Sequence, residues 1–420
     1  MLIHLYKRSK IALNYLFDRV IDEVDLVLMG IHEPPVARAF YPYKTARHVG
    51  NLSDLIREFP RWYVYQLTGH EWNIIVVGSE SSRDEISQLF FPDNEDMTVH
   101  HVGRIALWEL TKQTQIWLDP CPAQTNSLQK GESMGIIDLV VCESSCSLPY
   151  HPQEPITFVI PNWVNQEITL PHSANELLAG KKFATTRHRL NKAKRNGFSY
   201  HFSQDKADFD NFYYNMYLPY VIGRHGKLAV IAKYSDQKNR WFLNGGLVLI
   251  THHDVPVAGV LCYMAGDTCF DVERGILGSS SKLFKQGIET IATWAAIDWA
   301  YKQHATFFNM GGSHGWVSNG TFSTKRRWKA KVIRRKRIYK KWTFSARQLS
   351  PSKQACINKI GFITEIDKSF YRVMLDVNTE SININLKAEL ISAQKEGLQG
   401  LYMLSPHEER CIQLPTPYHS

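Results

Sequence analysis

Residues 247–313 read LVLITHHDVPVAGVLCYMAGDTCFDVERGILGSSSKLFKQGIETIATWAAIDWAYKQHATFFNMGGS, and this stretch decides the fold class. LVLITHHD, VPVAGVLCYMAGD and TCFDVERGI predict three strands joined by turns that contain Asp and Gly. LFKQGIETIATWAAIDWAYKQ predicts an amphipathic helix whose buried stripe includes Ile288, Ile291, Ala295 and Trp299. ATFFNMGGS predicts a fourth strand. The order of these elements indicates an α/β (α+β) fold, a mixed sheet flanked by helices.

Two further helices are predicted upstream of this stretch. SANELLAGKKFATTRHRLNKAKRNG predicts one long basic helix, with Ser173 as its N-cap and Gly197 as its C-terminal stop. DKADFDNFYYNMYLPYVIGRHG predicts a second helix that ends near Pro219. Downstream, the apolar Val332, Ile333 and Ile338 inside KRRWKAKVIRRKRIYKKW predict a strand with its charges exposed.

The N-terminal part predicts a smaller α/β unit. WYVYQL, WNIIVVG, TQIWLD and GIIDLVVCES favour strands, and SRDEISQLFF favours a helix with a serine start. SLPYHPQEPITFVIPNW contains four prolines and predicts a linker. We therefore expect an N-terminal α/β domain in residues 1–165, a core domain in 166–345 and a C-terminal extension in 346–420.

Bulk properties limit the partners without choosing among them. The 420 residues carry a net charge of +9, which favours nucleic acid, phosphate-bearing cofactors or an anionic membrane surface. The seven cysteines have no regular spacing, so we expect free thiols in a reducing cytosol and no metal site. Charges interrupt the apolar stretch 11–29, which argues against a signal peptide. No window is apolar enough to span a membrane, so the expected location is cytoplasmic or peripheral to the inner face of the membrane.

An ordered set of motifs carries a family resemblance. RHRLNKAKRNG is followed by VPVAGVLCYMAGDTCFDVERGIL, then WAAIDWAYKQHATFFNMGGS, then NGTFSTKRRWKAKV. With Gly259 in a strand and a closing set of Phe322, Lys325 and Trp328, this order resembles the GNAT-type acetyltransferase domain of the Fem-like superfamily. That superfamily includes peptidyltransferases that attach amino acids to lipid-linked cell-wall precursors. The resemblance covers about 165 of the 420 residues.

The resemblance implies transfer of an acyl or aminoacyl group to a nucleophile, usually an amine. It implies acetyl-CoA or another acyl-CoA as donor, and a small-molecule, saccharide or cell-envelope precursor as acceptor. Aminoacyl-tRNA is the alternative donor, although no heptad-patterned arm is visible in the second domain. The first 165 residues would then be a degenerate GNAT-like unit, giving two units in tandem. A non-catalytic nucleic-acid or membrane-binding protein on the same fold is the third interpretation.

The loop GILGSSSKLFKQG joins a predicted strand to a predicted helix start. Backbone N–H groups and the positive end of a helix can face a pyrophosphate there. The candidate cofactor-binding residues are Gly275, Gly278, Ser279, Ser280, Ser281, Lys282 and Lys285. A solvated loop with a serine helix cap is the alternative.

Four residues are candidates for catalysis. Asp271 and Glu273 alternate around Val272, so we expect both on one side of a strand, where either carboxylate could remove a proton from an ammonium. Surface salt bridges with Arg274 or nearby lysines are the alternative. Asn309 could donate to an oxyanion. His314 could shuttle protons, because an unperturbed histidine has a pKa of ~6.5; a solvated ring is the alternative.

The candidate substrate-binding residues are glycines and basic residues on the two sides of the expected groove. Guanidinium groups bind phosphate or carboxylate through paired donors, although a solvated basic face explains a charge run equally well. These candidates are Arg187, Arg195, Gly311, Gly312, Lys325 and Arg326.

Overall fold

The structure is a computed structural model, which describes residues 62–69, 72–92, 97–105, 136–144, 156–225, 229, 231–335, 341–346, 349–375, 382–404 and 409–413. The expectations for residues 1–61 and for the strand TQIWLD lie outside these ranges. The described residues form three sheets of six, seven and four strands.

The first sheet contains most of the N-terminal strands. It comprises β1 Trp62–Gly69, β2 Trp72–Gly78, β3 Thr98–Ile105, β4 Leu139–Ser144, β5 Ile156–Pro161 and β13 Lys341–Ala346, in the order β3-β1-β2-β4-β13-β5. Helix α1, Glu80–Phe90, follows β2 and begins at Ser79, whose side chain accepts from Ser82 N. The two aromatic strands and the serine-started helix are therefore confirmed.

The second sheet contains all four strands predicted in residues 247–313. It comprises β6 Trp163–Thr169, β7 Phe198–Ser203, β8 Gly245–His252, β9 Val255–Ala265, β10 Thr268–Ile276, β11 Phe307–His314 and β12 Lys331–Ile333, in the order β12-β6-β11-β10-β9-β8-β7. Strands β10 and β11 are parallel and the other neighbours are antiparallel. The chain passes from β10 to β11 through a helix, as the predicted GNAT-like mixed sheet requires, and this confirms the fold class.

Helices cover both faces of the second sheet. They are α2 Ala174–Leu178, α3 Ala184–Arg195, α4 Lys206–Asn211, a π-helix Phe212–Tyr217, α5 Leu218–His225, α6 Tyr234–Asn244, α7 Ser281–Gln286 and α8 Ile288–Lys302. Residues of α3 and α8 share one apolar cluster with Val248 and Val260. The π-helix and α6 share another with Leu249 and Leu261, on the opposite face.

Three helix predictions were wrong in detail. The long basic helix is broken between α2 and α3, where Gly180 has a φ of 81°. Pro219 does not end its helix: the chain stays helical from Lys206 to His225, and Pro219 follows directly after the π-helical turn. Helix α8 is not amphipathic: ten of its residues are buried, because it lies between the sheet and α3.

The two larger sheets exchange strands. Only Asn162 separates β5 in the first sheet from β6 in the second, and β13 returns the chain to the first sheet. The second half of the predicted linker, residues 156–163, forms β5 and the start of β6, so the prediction was wrong for these residues. The expected boundary after residue 165 lies within β6, and residues 341–345 of the expected core domain pair with the first sheet.

The C-terminal part adds a small sheet beside the second. Strands β14 Ile363–Ile366, β15 Ser369–Leu375, β16 Gly400–Leu404 and β17 Glu409–Gln413 pair in chain order, accompanied by α10 Pro351–Ile360 and α11 Ile382–Lys395. Its apolar cluster includes Val164 of β6 and Phe322 of helix α9, Gly320–Arg326. Among the described helices, none has the length and apolar character needed to cross a bilayer.

Candidate active site between strands β10 and β11

Strands β10 and β11 pair over only three residue pairs, from Thr268↔Phe307 to Phe270↔Asn309. Beyond that point each strand carries an irregularity. The pairing of β10 with β9 shifts between Asp271 and Glu273, and that of β11 with β6 shifts between Asn309 and Gly312. The two strands therefore separate in the middle of the sheet and leave a gap between them.

Gly311 and Asn309 shape the β11 side of this gap. Gly311 has a φ of 76°, and a Cβ on it would lie 3.2 Å from the Asp271 carbonyl oxygen. Asn309 is buried, and its Oδ1 accepts from Gly311 N at 2.9 Å. Its Nδ2 donates to Glu167 Oε2 at 3.4 Å. The amide therefore holds the backbone of the turn in the conformation that only glycine adopts readily.

Asp271 forms a buried ion pair. Arg274 Nε donates to Asp271 Oδ2 at 2.9 Å, and the Asp271 side chain is 5% exposed. Arg274 Nη1 also donates to Thr293 Oγ1 of α8 at 2.9 Å. The salt-bridge alternative is thus present, but inside the protein, where Asp271 fixes a guanidinium beside the gap.

Glu273 lies on the other face of the sheet. Asp271 is opposite Cys262 on β9 and Glu273 is opposite the adjacent Leu261, and adjacent residues of a strand point to opposite faces. The expectation that both carboxylates share one side was wrong, because Val272 forms a β-bulge that adds one residue between them.

The environment of Glu273 favours its protonated form. Gln237 Nε2 donates to Glu273 Oε1 at 3.1 Å. Burial raises the pKa of Glu273 to about 7, against the opposing effects of Arg240 and Tyr217. A carboxyl with this pKa can exchange a proton near neutral pH.

Lys325 enters the gap from α9. Asn319 caps this helix, accepting from Thr321 N at 3.0 Å and Phe322 N at 3.1 Å. Lys325 is 8% exposed, and its Nζ donates to the Gly312 carbonyl at 2.6 Å. Burial lowers the pKa of Lys325 to about 7; Asp271 opposes this, and Arg274 and Arg335 add to it.

Five predicted site residues therefore converge. A Cβ on Gly311 would lie 3.9 Å from Lys325 Nζ, in addition to its contact with Asp271. Around this glycine the structure brings together Asp271, Asn309, Gly312 and Lys325.

His314 belongs to the contact between the two larger sheets. Its ring contacts Trp163 and Trp316, with centroid distances of 4.3 and 4.4 Å. Its Nδ1 is 3.7 Å from Glu85 Oε2 of α1, and its side chain is 22% exposed. The alternative of a solvated ring was therefore wrong, because the imidazole packs against two indoles.

The residues of the predicted cofactor loop lie in three different elements: strand β10, a 3₁₀ turn and helix α7. Gly275 is buried inside β10, where a Cβ would lie 2.5 Å from Tyr217 N, so it underlies the π-helix instead of facing a ligand. Gly278 (φ 63°) and Ser279 belong to a 3₁₀ turn, and Ser280 caps α7 by accepting from Leu283 N at 3.5 Å. The serine cap named as the alternative is therefore present. The side chains exposed on α7 are Ser281, Lys282 and Lys285.

Three predicted arginines lie away from the gap. Arg187 donates to the carbonyls of Leu178 and Gly180 and so stabilises the break between α2 and α3. Arg195 is exposed at the end of α3. Arg326 pairs with Glu396 of the C-terminal part at 3.3 Å.

Sequence reasoning missed Arg224, which belongs to a group of arginines around the start of α8. Glu289, in the first turn of α8, interacts with Arg224 at 3.4 Å. Its charge also acts on Arg274 and Arg327, and Arg189 lies close enough to lower the pKa of Arg327 further, after burial. Arg224, Arg274 and Arg327 thus all interact with the Glu289 carboxylate, and Arg189 lies beside Arg327. These arginines come from different helices and strands, so no local sequence motif indicates that they lie close together.

A surface pocket of about 480 Å³ lies near the opposite end of β10, lined in part by Gly245, Met264 and Gln303. None of the converging side chains lines it. No group of three His, Cys, Asp or Glu side chains in the described ranges is placed to bind a metal ion.

The strand order, the parallel pair around α8 and the bulged gap define a GNAT-like α/β protein. No protein-family model matches the sequence, and no curated protein matches it. FemX is similar over 70% of this chain and 90% of its own, with 11% identity and a TM-score of 0.33. L-PGS from Bacillus licheniformis is similar over 71% and 86%, with 14% identity and a TM-score of 0.30. A tandem GNAT protein from the clavulanic acid biosynthesis pathway is similar over 69% and 80%, with 10% identity and a TM-score of 0.27. These values are low, so we base the fold class on the topology described above.

Proposed function

We propose that this chain is an N-acyltransferase that moves an acyl group from acetyl-CoA or another acyl-CoA to an amine. The acceptor would be a small molecule, a saccharide or a cell-envelope precursor. The observation that carries the proposal is the convergence of Lys325, Asn309 and Asp271 on Gly311, where β10 and β11 separate. This places a buried cation and backbone polar groups at an opening in the sheet.

Lys325 would stabilise the transition state. A thioester is already activated, so the protein has mainly to align donor, acceptor and charge. Attack of the amine on the thioester carbonyl moves an electron pair onto oxygen, and a fixed ammonium in a buried site stabilises that oxyanion strongly. The Asp271–Arg274 pair, tied to Thr293, holds a second cation beside the same gap.

Glu273 would be the general base, acting on the gap from the face of the sheet opposite to that of Asp271. Near pH 7 a substantial fraction of this carboxyl is ionised, because its pKa is about 7. It accepts a proton from the acceptor's nitrogen as the new C–N bond forms. The tetrahedral intermediate then collapses, the C–S bond breaks, and the CoA thiolate leaves and is protonated.

The charge around α8 supports an anionic donor. Arg189, Arg224 and Arg327 lie near the start of this helix with one carboxylate, Glu289, among them. Helix starts and guanidinium groups both favour phosphate. Lys282 and Lys285 extend the basic surface along α7.

An aminoacyl-tRNA is the second candidate donor, because the same arginines suit any phosphate-bearing molecule. Calorimetric titration with acetyl-CoA separates the two. Saturable heat with acetyl-CoA supports the first proposal. No heat and no thermal shift, together with a tRNA gel shift that weakens steeply with salt, would replace it with the second.

The pH dependence tests the assigned roles. The reaction needs Glu273 ionised and Lys325 protonated, and both have a pKa of about 7. We therefore expect a narrow bell-shaped rate profile with its maximum near pH 7. Glu273→Gln should remove most of the rate, whereas Asp236→Asn, an exposed change on α6, should leave it intact. Equal rates in the two variants would exclude Glu273 as the base.

A further inference from the structure

Arg335 lies beside the gap, two residues after the end of β12. A Cβ on Gly312 would lie 3.1 Å from Arg335 Nη1 and 3.0 Å from Trp163 Cε3. The carbonyl of the same glycine accepts from Lys325 Nζ at 2.6 Å. The guanidinium of Arg335 and the ammonium of Lys325 therefore both approach Gly312, where β11 leaves the turn at Gly311.

An aromatic ring, and not a carboxylate, holds the guanidinium of Arg335. Its Cζ lies 5.4 Å from the centroid of the Trp163 ring, within the range of a cation–π interaction. Trp163 packs in turn against His314, with ring centroids 4.3 Å apart. Arg335 forms no hydrogen bond and no ion pair with any residue that the structure describes. Its N–H donors are therefore available to a ligand.

The next arginine in the chain is held differently. Arg334 has a side chain that is 49% exposed, yet its Nε donates to Glu365 Oε1 at 2.9 Å. Arg335 is the more buried of the two, and burial lowers its pKa without an opposing effect from any described carboxylate. A guanidinium that loses water without gaining an anion costs free energy. Proteins retain such costs where a site needs the group for function.

The charge around Gly312 also favours an anion. Burial contributes most to the lowered pKa of Lys325, and the repulsion from Arg335 lowers it further. Asp271 opposes this effect on Lys325, but its carboxylate already pairs with Arg274. An anion bound to Arg335 would offset the repulsion between the two cations. The planar guanidinium matches the paired oxygens of a carboxylate or a phosphate.

We propose that Arg335, packed on Trp163 beside Gly312, binds an anionic group of the acceptor, either a carboxylate or a phosphate. The acceptor then carries its reactive amine and an anionic group in one molecule. This narrows the acceptor class and rests on the proposed function.

The first test observes Arg335 directly, by NMR of the full chain labelled with nitrogen-15 arginine. The Nε–H signals are assigned with Arg335→Met and Arg334→Met. The probes are two pairs of amines that differ in one anionic group: alanine with alaninamide, and phosphoethanolamine with ethanolamine. At least one anionic probe should shift the Arg335 signal saturably and bind about tenfold or more tightly than its neutral partner, while the Arg334 signal stays in place. Alanine tests the carboxylate and phosphoethanolamine the phosphate. No saturable shift with either anionic probe, or equal affinity for the neutral ones, would overturn the proposal.

Thermal unfolding separates ligand binding from a structural role. Arg334→Met removes an ion pair with Glu365 and should lower the melting temperature. Arg335→Met removes an unpaired charge and should lower it less, or raise it. A larger loss in Arg335→Met than in Arg334→Met would show that Arg335 supports the fold, and the proposal would be wrong.

Thiol release from acetyl-CoA separates this inference from the proposed function. The anionic amine of the preferred pair should have a kcat/KM about 10- to 100-fold above that of its neutral partner. Arg335→Met should remove this preference and Arg334→Met should keep it. Transfer to both amines of each pair at equal rates would contradict the inference while the transferase assignment stands. Saturable binding at Arg335 without thiol release from any probe would support the anion site and count against the transferase. Weaker acetyl-CoA binding in Arg335→Met, with the amine preference intact, would place Arg335 at the donor and overturn the inference.

Discussion

Each of the two larger sheets contains a pair of parallel strands with a helix after its first strand. In the first, α1 follows β2, and its parallel partner β4 comes after β3 in the chain; in the second, α7 and α8 follow β10 and lead directly to its parallel partner β11. Strands β2 and β4 pair from Ile74↔Leu139 to Val77↔Cys142, one residue short of the end of β2. Strands β10 and β11 stop pairing at Phe270, and β10 continues to Ile276. We call the first pair of strands closed, because it stays hydrogen-bonded almost to the end of β2, and the second pair open, because its strands separate after Phe270.

The N-termini of α1 and α8 also differ, in the charges that surround them. Glu143 of β4 is 1% exposed, and its Oε2 accepts from Ser79 N at 2.9 Å and from Ser82 Oγ at 2.5 Å. The first unit thus fills the start of α1 with its own carboxylate. Around the start of α8, arginines outnumber the single Glu289. A pair of parallel strands with a helix therefore becomes a candidate site only where the strands separate and where the positive charge at the helix start is not neutralised by the protein's own carboxylates.

Removing the buried cation of the open unit should have the largest effect. Lys325→Ala should lower kcat/KM about 100- to 1,000-fold, the usual range for loss of one oxyanion-stabilising group, measured as thiol release from acetyl-CoA. Lys331→Ala, an exposed lysine of the same basic run, is the matched control and should change little. A Lys325→Ala enzyme that keeps a tenth of the parental rate would remove Lys325 from the mechanism.

Removing the carboxylate that lies against the start of α1 should lower the stability of the folded protein instead. Glu143→Ala leaves the buried Ser82 hydroxyl and Ser79 N without their acceptor, which should lower the free energy of unfolding by about 2–4 kcal/mol. Glu80→Ala, an exposed change in the first turn of α1, should cost under ~0.5 kcal/mol. Urea unfolding measures both values. Similar small losses in the two variants would mean that Glu143 does not close the first unit.

The buried positive charge of Lys325 should destabilise the folded protein. The pKa of Lys325 is about 7 in the folded protein and ~10.4 in an unfolded chain, so the unfolded state binds more protons between these values. Stability should therefore rise with pH through this window, while Glu273 titrates mostly below it. Lys325→Met should be more stable than the parent at pH 7, by about 1–3 kcal/mol, with a narrowing difference towards pH 10. Unfolding curves that run parallel over this range would contradict the buried lysine.

The turn at Gly311 should show the smallest effect. Gly311→Ala places a Cβ on a residue with a φ of 76° and 3.2 Å from the Asp271 carbonyl, which should cost about 1 kcal/mol of stability. Gly320→Ala, at the start of α9 with open space around it, should be neutral or slightly stabilising. Thermal unfolding of the two variants gives the comparison, and equal melting temperatures would show that the turn is not strained by a side chain.

Local sequence patterns predicted much of the second sheet. The runs that became β8, β9, β10 and β11 are rich in β-branched and aromatic residues, and the caps at Ser173 and Gly197 are local hydrogen-bonding motifs. Helix α8 was found because its residues favour a helix, but its burial was missed. The second layer that covers α8 is α3, and a single helix pattern does not reveal how many neighbours it has.

The sequence suggested individual residues of the candidate site but not how they are arranged in space. Asp271 and Lys325 were named for different roles and are 54 positions apart in the chain, and the structure brings them together at Gly311. The alternation rule placed Asp271 and Glu273 on one face, and a bulge at Val272 put them on two. Arg224 and Glu143 carried no signal, because each gains its role from a partner distant in sequence.

The sequence by itself determined the type and order of the elements around the site, since hydrophobic periodicity, β-branched runs and capping residues act within a few residues. Only the tertiary structure decided which of the two parallel pairs stays open, which carboxylate is buried against an arginine, and which strands the sheets exchange. Those outcomes depend on contacts between distant segments and on bulges of a single residue, whose free energies are set by the packing of the whole fold.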